Sequence, residues 1–309
     1  MNKPALLAIV GPTASGKSSL GLSLAKQFNG EIINCDLLQM YRFFDIGSGK
    51  LTPAEQEGIP HHLLSVLEPT QRFAAGEYAR TARDAISYIE RLGKLPVIVG
   101  GTGFYLRALV DGLFPGPSRN PELRERLKLR ASQKGLWYMH RVLHRLDPAS
   151  AAKIHPNDTH KTIRAIEVCL QTRKRLSDLF QQGRQSLHGC EVLKLGLNPV
   201  RSALYEAIND RTKRMFAAGF VPEVKTILAK GVPRTAPPFQ SLGYREVLEY
   251  LDGVIGLDQA IELTQIRTRQ YAKRQITWFR TETDVHWFSG FGTDPQVQDD
   301  ARRYILERL

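Results

Sequence analysis

The feature that most constrains this chain is the octapeptide Gly11-Pro12-Thr13-Ala14-Ser15-Gly16-Lys17-Ser18, a full match to G-x-x-x-x-G-K-[S/T]. It follows the short apolar run Ala5 to Val10 and opens an amphipathic pattern from about Lys17 to Phe28. A buried strand thus hands the chain to a glycine-rich loop, and the loop to a helix N-terminus. In that context backbone N–H groups curl around a phosphate and the helix end adds positive potential. Lys17 can reach a terminal phosphate, and the Ser18 hydroxyl can ligate Mg2+. The motif requires a diphosphate or triphosphate ligand without saying which.

The pattern then repeats. Residues 31–35 read as a second strand. Residues 76–92 read as a helix, with Tyr78, Ala82, Ala85, Ile86 and Ile89 at helical spacing. Gly93 ends that helix, and Pro96 to Gly100 reads as a third strand. Strands alternating with helices through short loops predict an α/β fold: a P-loop NTPase-like parallel sheet covered by helices. The texture changes after Asp111, where Phe114-Pro-Gly-Pro-Ser118 is turn-rich. Asn120 and Pro121 then read as N-cap and first residue of a helix that stops at Gly135. Asp147-Pro148 repeats the start signal, and Asn157 and Asp158 precede a helix to about Thr172. Residues 117–190 are therefore expected to form a small basic helical insertion domain, with residues 1–116 and 191–309 as the P-loop core. Val192 to Leu197 returns to the sheet, and helices follow over about 201–218, 221–230 and 258–280.

Charge is unevenly placed. The chain of 309 residues carries a formal +12. Between Pro117 and Arg201 there are 17 Lys/Arg against 7 Asp/Glu, and between Thr264 and Arg280 five basic residues and no acids. Such clusters suit the phosphates of a nucleic acid, although solvated helix faces would give the same counts. The cysteines, Cys35, Cys169 and Cys190, have no zinc or redox spacing and read as small buried hydrophobes. His61-His62 lacks a third ligand and reads as ordinary loop or core histidines. No stretch approaches the ~20 apolar residues of a membrane span. The expected compartment is the cytoplasm, with no membrane association.

Around the phosphate loop, Asp36 ends the second strand at the rim where ligands of open parallel sheets bind. It is a candidate general base or Mg2+ ligand, a reading favoured over that of a turn residue capping the next segment. Gly100-Gly-Thr102-Gly103 ends the third strand at the same rim and puts a hydroxyl among glycines. Composition alone makes Arg211 a surface arginine. The run Arg267 to Arg280 interleaves bases with aromatics. Tyr271 and Trp278, seven apart, read as core, while Lys273, Arg274 and Arg280 suit RNA. These features leave three classes open: a small-molecule kinase, a non-enzymatic RNA-binding module, and a transferase acting on RNA.

Longer motifs separate them. Besides the P-loop, the chain carries Asp36-Leu-Leu-Gln39-Met-Tyr41, Asp45-Ile-Gly, His61-His62-Leu, Gly100-Gly-Thr-Gly-Phe-Tyr105, His155-Pro-Asn-Asp158, Arg164-Ala-Ile-Glu-Val168, Gly243-Tyr-Arg245 and the Lys273–Arg280 run. In kind and order these resemble the tRNA dimethylallyltransferase family, over about residues 9–288. The resemblance implies transfer of a dimethylallyl group from dimethylallyl diphosphate to the N6 amine of adenosine 37 in the tRNA anticodon loop. The P-loop would then hold dimethylallyl diphosphate rather than a nucleotide. Mg2+, Lys17 and Arg211 would stabilise the departing diphosphate, Asp36 would take the proton of the attacking amine, and Thr102 would help place the reactants. Implied tRNA contacts are Asp36, Leu37, Leu38 and Gln39, Thr102, Arg124, then His160, Lys161, Thr162, Ile163 and Arg164. Gln240, Ser241, Leu242, Gly243, Tyr244 and Arg245 are a further group, followed by Lys273, Arg274 and Arg280. The anticodon stem-loop is the implied partner, no partner protein is implied, and a monomer is expected. Two departures stand out: Leu37 where the family usually has Ser, and Gly47-Ser-Gly-Lys50 in place of Gly-Thr-Ala-Lys. The zinc finger of eukaryotic relatives is not found, as expected of a bacterial-type member.

Overall fold

The computed structural model describes residues 5–181 and 183–308. Along the chain run β1 (Ala5–Val10), α1 (Lys17–Gln27), β2 (Gly30–Asn34), β3 (His61–His62), α2 (Ala75–Arg91), β4 (Leu95–Val99) and α3 (Gly103–Val110). There follow α4 (Pro121–Lys134), α5 (Leu136–Leu146), α6 (Pro148–Lys153), α7 (Thr159–Thr172) and α8 (Leu176–Gln181). The chain closes with β5 (Glu191–Leu197), α9 (Arg201–Ala217), α10 (Phe220–Ala229), α11 (Tyr244–Leu251), α12 (Leu257–Phe279), β6 (Val285–Phe288) and α13 (Pro295–Leu306).

The six strands form one sheet in the order β3-β2-β4-β1-β5-β6, and each neighbouring pair is parallel. β1 lies inside it, with Leu7 opposite Val97 and Leu193, and Ile9 opposite Val99 and Leu195. Helices on the sheet bury the side chains of these strands, which is why β1 is an uninterrupted apolar run. The core gathers Leu7, Ile9, Leu20, Leu24, Ile32, Val97, Leu195 and Phe288, and takes Val297 and Ile305 from α13. This is the expected fold class. The edges of the sheet differ from expectation. His61-His62 is a short strand on β2, where Glu31 is bound by His62 Nε2 at 2.6 Å and by Lys94 Nζ at 2.6 Å. β6 and α13 lie outside the elements expected from the sequence. Both are fixed by long-range packing on β5 and α1.

The chain divides into two compact units. One comprises residues 1–110 and 188–309, and the other Asp111–Leu187. The second is helical, with its own core of Leu127, Met139, Leu143, Ile163, Ile166, Val168 and Leu179. Its helix starts are set by side-chain caps. Asn120 Oδ1 accepts the Leu123 N–H at 3.0 Å, and Asp158 Oδ1 accepts the Lys161 N–H at 3.0 Å. Asp147 is fully buried and takes the N–H and hydroxyl groups of both Ser150 and Ser177. Burial alone would raise its pKa, but these hydrogen bonds hold the carboxyl below its usual range. Among the described residues no helix is long and apolar enough to cross a membrane.

Candidate active site

The phosphate loop spans the end of β1 and the start of α1, as its motif requires. Lys17 Nζ donates to the Pro12 carbonyl at 2.6 Å across the loop. From α9, Arg211 reaches in: Nη1 donates to Thr13 Oγ1 at 2.9 Å and Nη2 to the Ser48 carbonyl at 3.2 Å. Composition alone made Arg211 a surface residue, yet its guanidinium is enclosed. Burial lowers its pKa, and the neighbouring Asp36 partly offsets this. The loop it touches has no room for a larger residue. A Cβ on Gly49, whose φ is +63, would lie 2.0 Å from Arg211 Nη2.

Asp36 lies two residues past β2. Its backbone is held on both sides by buried Asn34, whose Oδ1 accepts the Asp36 N–H at 3.0 Å and whose Nδ2 donates to the Asp36 carbonyl at 2.9 Å. The carboxylate accepts the Leu38 N–H at 3.0 Å. Thr102 Oγ1 accepts the Leu37 N–H at 3.3 Å, and the Thr102 N–H bonds the Cys35 carbonyl at 3.1 Å. The ends of β2 and β4 are thereby tied together. Gln39 Nε2 donates to the Ser48 and Gly49 carbonyls, both at 3.3 Å. Cys35 itself is inert as a nucleophile, because burial pushes its thiol up to about 12.

These groups share a cavity of about 390 Å3. Its lining combines polar Thr13, Asp36, Thr102 and Arg211 with apolar Met215, Phe216, Phe220 and Leu242. Tyr271 and Arg274 of α12 line it as well, which corrects the expectation that Tyr271 is a core aromatic. The signal was present in the sequence. Tyr271, Gln275 and Trp278 recur at helical spacing on one face, and polar Gln275 interrupts the aromatics there. Trp278 is partly buried beneath Arg107, whose guanidinium lies 4.3 Å from the ring centre.

Two cations, Lys17 and Arg211, act on one carboxylate, Asp36. The Lys17 ammonium is brought down to about 8, mainly by burial; Asp36 opposes the shift and Arg211 adds to it. The sign of the pH effect follows. Below about 8 Lys17 is charged and ready for an anion, whereas above it a bound diphosphate must draw a proton onto the lysine. Diphosphate affinity is expected to fall with rising pH above this point, approaching about tenfold per pH unit. Calorimetry at pH 9 in buffers of different ionisation enthalpy should register the proton uptake. Lys17→Arg should abolish it, and an absence of uptake in the unaltered protein would show that Lys17 does not face the ligand.

The other expected RNA contacts divide by exposure. Lys161, His160, Gln240, Arg245, Lys273, Arg274 and Arg280 are exposed. Thr162, Ile163 and Tyr244 are closed to solvent, at 1%, 5% and 0% exposure. Contact of those three side chains with RNA is corrected to a packing role; the Tyr244 hydroxyl donates to Glu223 at 2.7 Å. Arg124 and Arg164 both bind the fully buried carboxylate of Glu167, at 3.0 and 2.9 Å. Both side chains are part-buried, and each commits a donor to that carboxylate.

A glycine-rich phosphate loop at the edge of a partly apolar cavity, which Asp36 and Arg211 also line, defines the class of P-loop proteins. Comparison with known proteins makes this specific. The family model for IPP transferase matches residues 39–282, and that for isopentenyl transferase residues 4–67. The chain is 52% identical over 305 residues to a tRNA dimethylallyltransferase of Koribacter versatilis, covering 99% of both chains. It is 51% identical to that of Solibacter usitatus, over 98% of this chain and 99% of the relative. The crystal structure of a full-length tRNA isopentenylpyrophosphate transferase from Bacillus halodurans superposes with TM-score 0.73 at 35% identity, covering 99% of this chain and 97% of that one. A eukaryotic dimethylallyltransferase captured acting on tRNA gives 0.83 at 27% identity, over 99% of this chain and 80% of that one. The chain belongs to the tRNA dimethylallyltransferase family.

Proposed function

We propose that the protein transfers the dimethylallyl group of dimethylallyl diphosphate to the N6 amine of adenosine 37 in a tRNA anticodon loop. The observation that carries this beyond family membership is the mixed lining of the cavity. Thr13 and Ala14 of the phosphate loop share it with Arg211, Asp36 and Thr102, and with apolar Met215, Phe216, Phe220 and Leu242, which suit a prenyl chain. In the reaction the N6–C bond forms as the allylic C–O bond breaks, the diphosphate leaves, and the amine proton passes to Asp36. The charge developing on the leaving oxygens falls beside Lys17, Arg211 and the loop amides, where fixed donors stabilise it without reorganisation. Thr102 and Gln39 fix the backbone on either side of the Asp36–Leu38 turn. The adenine must leave the anticodon stack to reach the cavity. Leu37 puts an apolar side chain where the family usually has a hydroxyl.

The residues present also fit Mg2+. Among the described residues no group of three or more His, Cys, Asp or Glu could hold a metal alone. The Ser18 hydroxyl offers a hard oxygen ligand of the kind that holds Mg2+ together with substrate phosphates, which leaves the Asp36 carboxylate to act as the base. The ion would supply further neutralisation of the diphosphate. The exposed basic residues Lys161, Lys273, Arg274 and Arg280 suit the RNA backbone, with His160, Gln240 and Arg245 beside them in sequence groups that supply further polar contacts.

Two measurements test the proposal. Mass spectrometry of tRNA incubated with the protein and dimethylallyl diphosphate should show one prenyl addition on an anticodon-loop adenosine. Calorimetry should show Mg2+-dependent binding of dimethylallyl diphosphate and only weak binding of ATP. A clear preference for ATP with unmodified tRNA would overturn it.

A further inference from the structure

We infer, on the basis of the prenyl-transfer chemistry proposed above, that Gln275 is a positioning residue that sets the phosphate loop against the Thr102 loop. Gln275 is 5% exposed, within the last three turns of α12. Its Oε1 accepts the Thr13 N–H at 2.8 Å, and its Nε2 donates to the Gly101 carbonyl at 3.0 Å. One amide thus spans two loops from different strands. Thr13 is also the residue whose hydroxyl accepts from Arg211, and Gly101 precedes Thr102, whose hydroxyl holds the Leu37 N–H. The diphosphate end and the amine end of the reaction are joined through a single side chain.

The chemistry selects glutamine. A backbone N–H needs an acceptor and a backbone carbonyl needs a donor, and among side chains of this length only a primary amide offers both. Glutamate could satisfy Thr13 but not Gly101, and would add negative charge beside the phosphate site. Gly101 is matched to the amide in turn, since a Cβ there would lie 2.2 Å from Gln275 Nε2. On the same helix Lys273 and Arg274 on one side and Thr277 on the other are exposed. The cationic face offered to RNA and the amide that fixes the reaction geometry therefore share one rigid element.

Small misplacements of reacting groups cost rate steeply, on the order of 10²-fold for about 1 Å. The test is a double-mutant cycle on the single-turnover rate of prenyl transfer, with Gln275→Ala, Gly101→Ala and the pair. Each single change should slow transfer by roughly 10-fold to 10²-fold. Gly101→Ala should add almost nothing in the Gln275→Ala background, because the amide it displaces is already gone. Thermal unfolding and the salt dependence of tRNA binding, measured on the same samples, separate positioning from folding. A purely structural amide would lower Tm and leave the rate per folded molecule unchanged, and that result would overturn the inference. So would additive rate effects, or a Gln275→Ala rate within about threefold of the unaltered protein. If the unaltered protein transfers no prenyl group at all, the proposed function has failed instead.

Discussion

Asp36→Asn is expected to slow prenyl transfer by on the order of 10²-fold or more while the protein stays folded and still binds dimethylallyl diphosphate. The amide is the informative replacement because the carboxylate has two tasks. One is local: Asp36 Oδ1 accepts the Leu38 N–H, and an asparagine oxygen can do the same. The other is chemical, since only the carboxylate can take the proton released when the N6 amine attacks. Asp36→Ala removes both tasks and confounds them. The turn should survive in Asp36→Asn, because Asn34 holds the backbone of residue 36 on both sides independently of that side chain. Lys17 and Arg211 lose a neighbouring negative charge, so donor affinity should stay level or rise. A rate within a few-fold of the unaltered protein, with donor binding intact, would show that Asp36 is only a turn residue and that the proton leaves by another route.

Replacing Arg124 and Arg164 together by alanine is expected to destabilise the Asp111–Leu187 unit by about 3–5 kcal/mol and to lower Tm by roughly 10 °C. Glu167 is 0% exposed, and its carboxylate depends on those two guanidiniums and on the Asn120 N–H at 2.8 Å. Burial alone would raise its pKa, yet hydrogen bonds from Arg164, Asn120 and Arg124 hold it below the ordinary value. A depressed carboxylate contributes stability that is fully present above its unfolded pKa and lost as pH falls through the folded one. With both arginines gone the burial penalty stands alone, and the contribution changes sign at neutral pH. Adding Glu167→Gln to the double variant should therefore recover a large part of the lost Tm. A shift of less than about 2 °C on losing both arginines would sink this account, since exposed ion pairs contribute little. RNA binding is better probed at Lys161, which is 73% exposed and, among the described residues, paired with Asp158 alone. Lys161→Ala should flatten the slope of log affinity against log salt by roughly 0.7 if it meets one phosphate on a single-stranded loop.

What could be read from the sequence was whatever depends on neighbours along the chain. The phosphate loop with its flanking strand and helix, the Asn120 and Asp158 caps, and the long α12 are written in short-range spacing. So is the parallel α/β class, because alternating strands and helices leave few other ways to bury both faces of a sheet. Asp36 and Thr102 were legible too, since they adjoin strand ends and so fall at the rim that such sheets use for ligands, and the family motifs gave them roles. Tertiary structure decided everything that rests on contacts between distant residues. Arg211 looked like a surface cation on a basic helix, and became a buried partner of Thr13 only because α9 packs with Ala14 and α12 beside the phosphate loop. That Arg124 and Arg164 also hold a buried Glu167 is something a sequence does not show. Gln275 stands 262 positions from Thr13 and 174 from Gly101, and no local pattern records that its amide joins them. Helical periodicity tells which side of a helix turns inward, but the partner waiting there is chosen by how the elements pack.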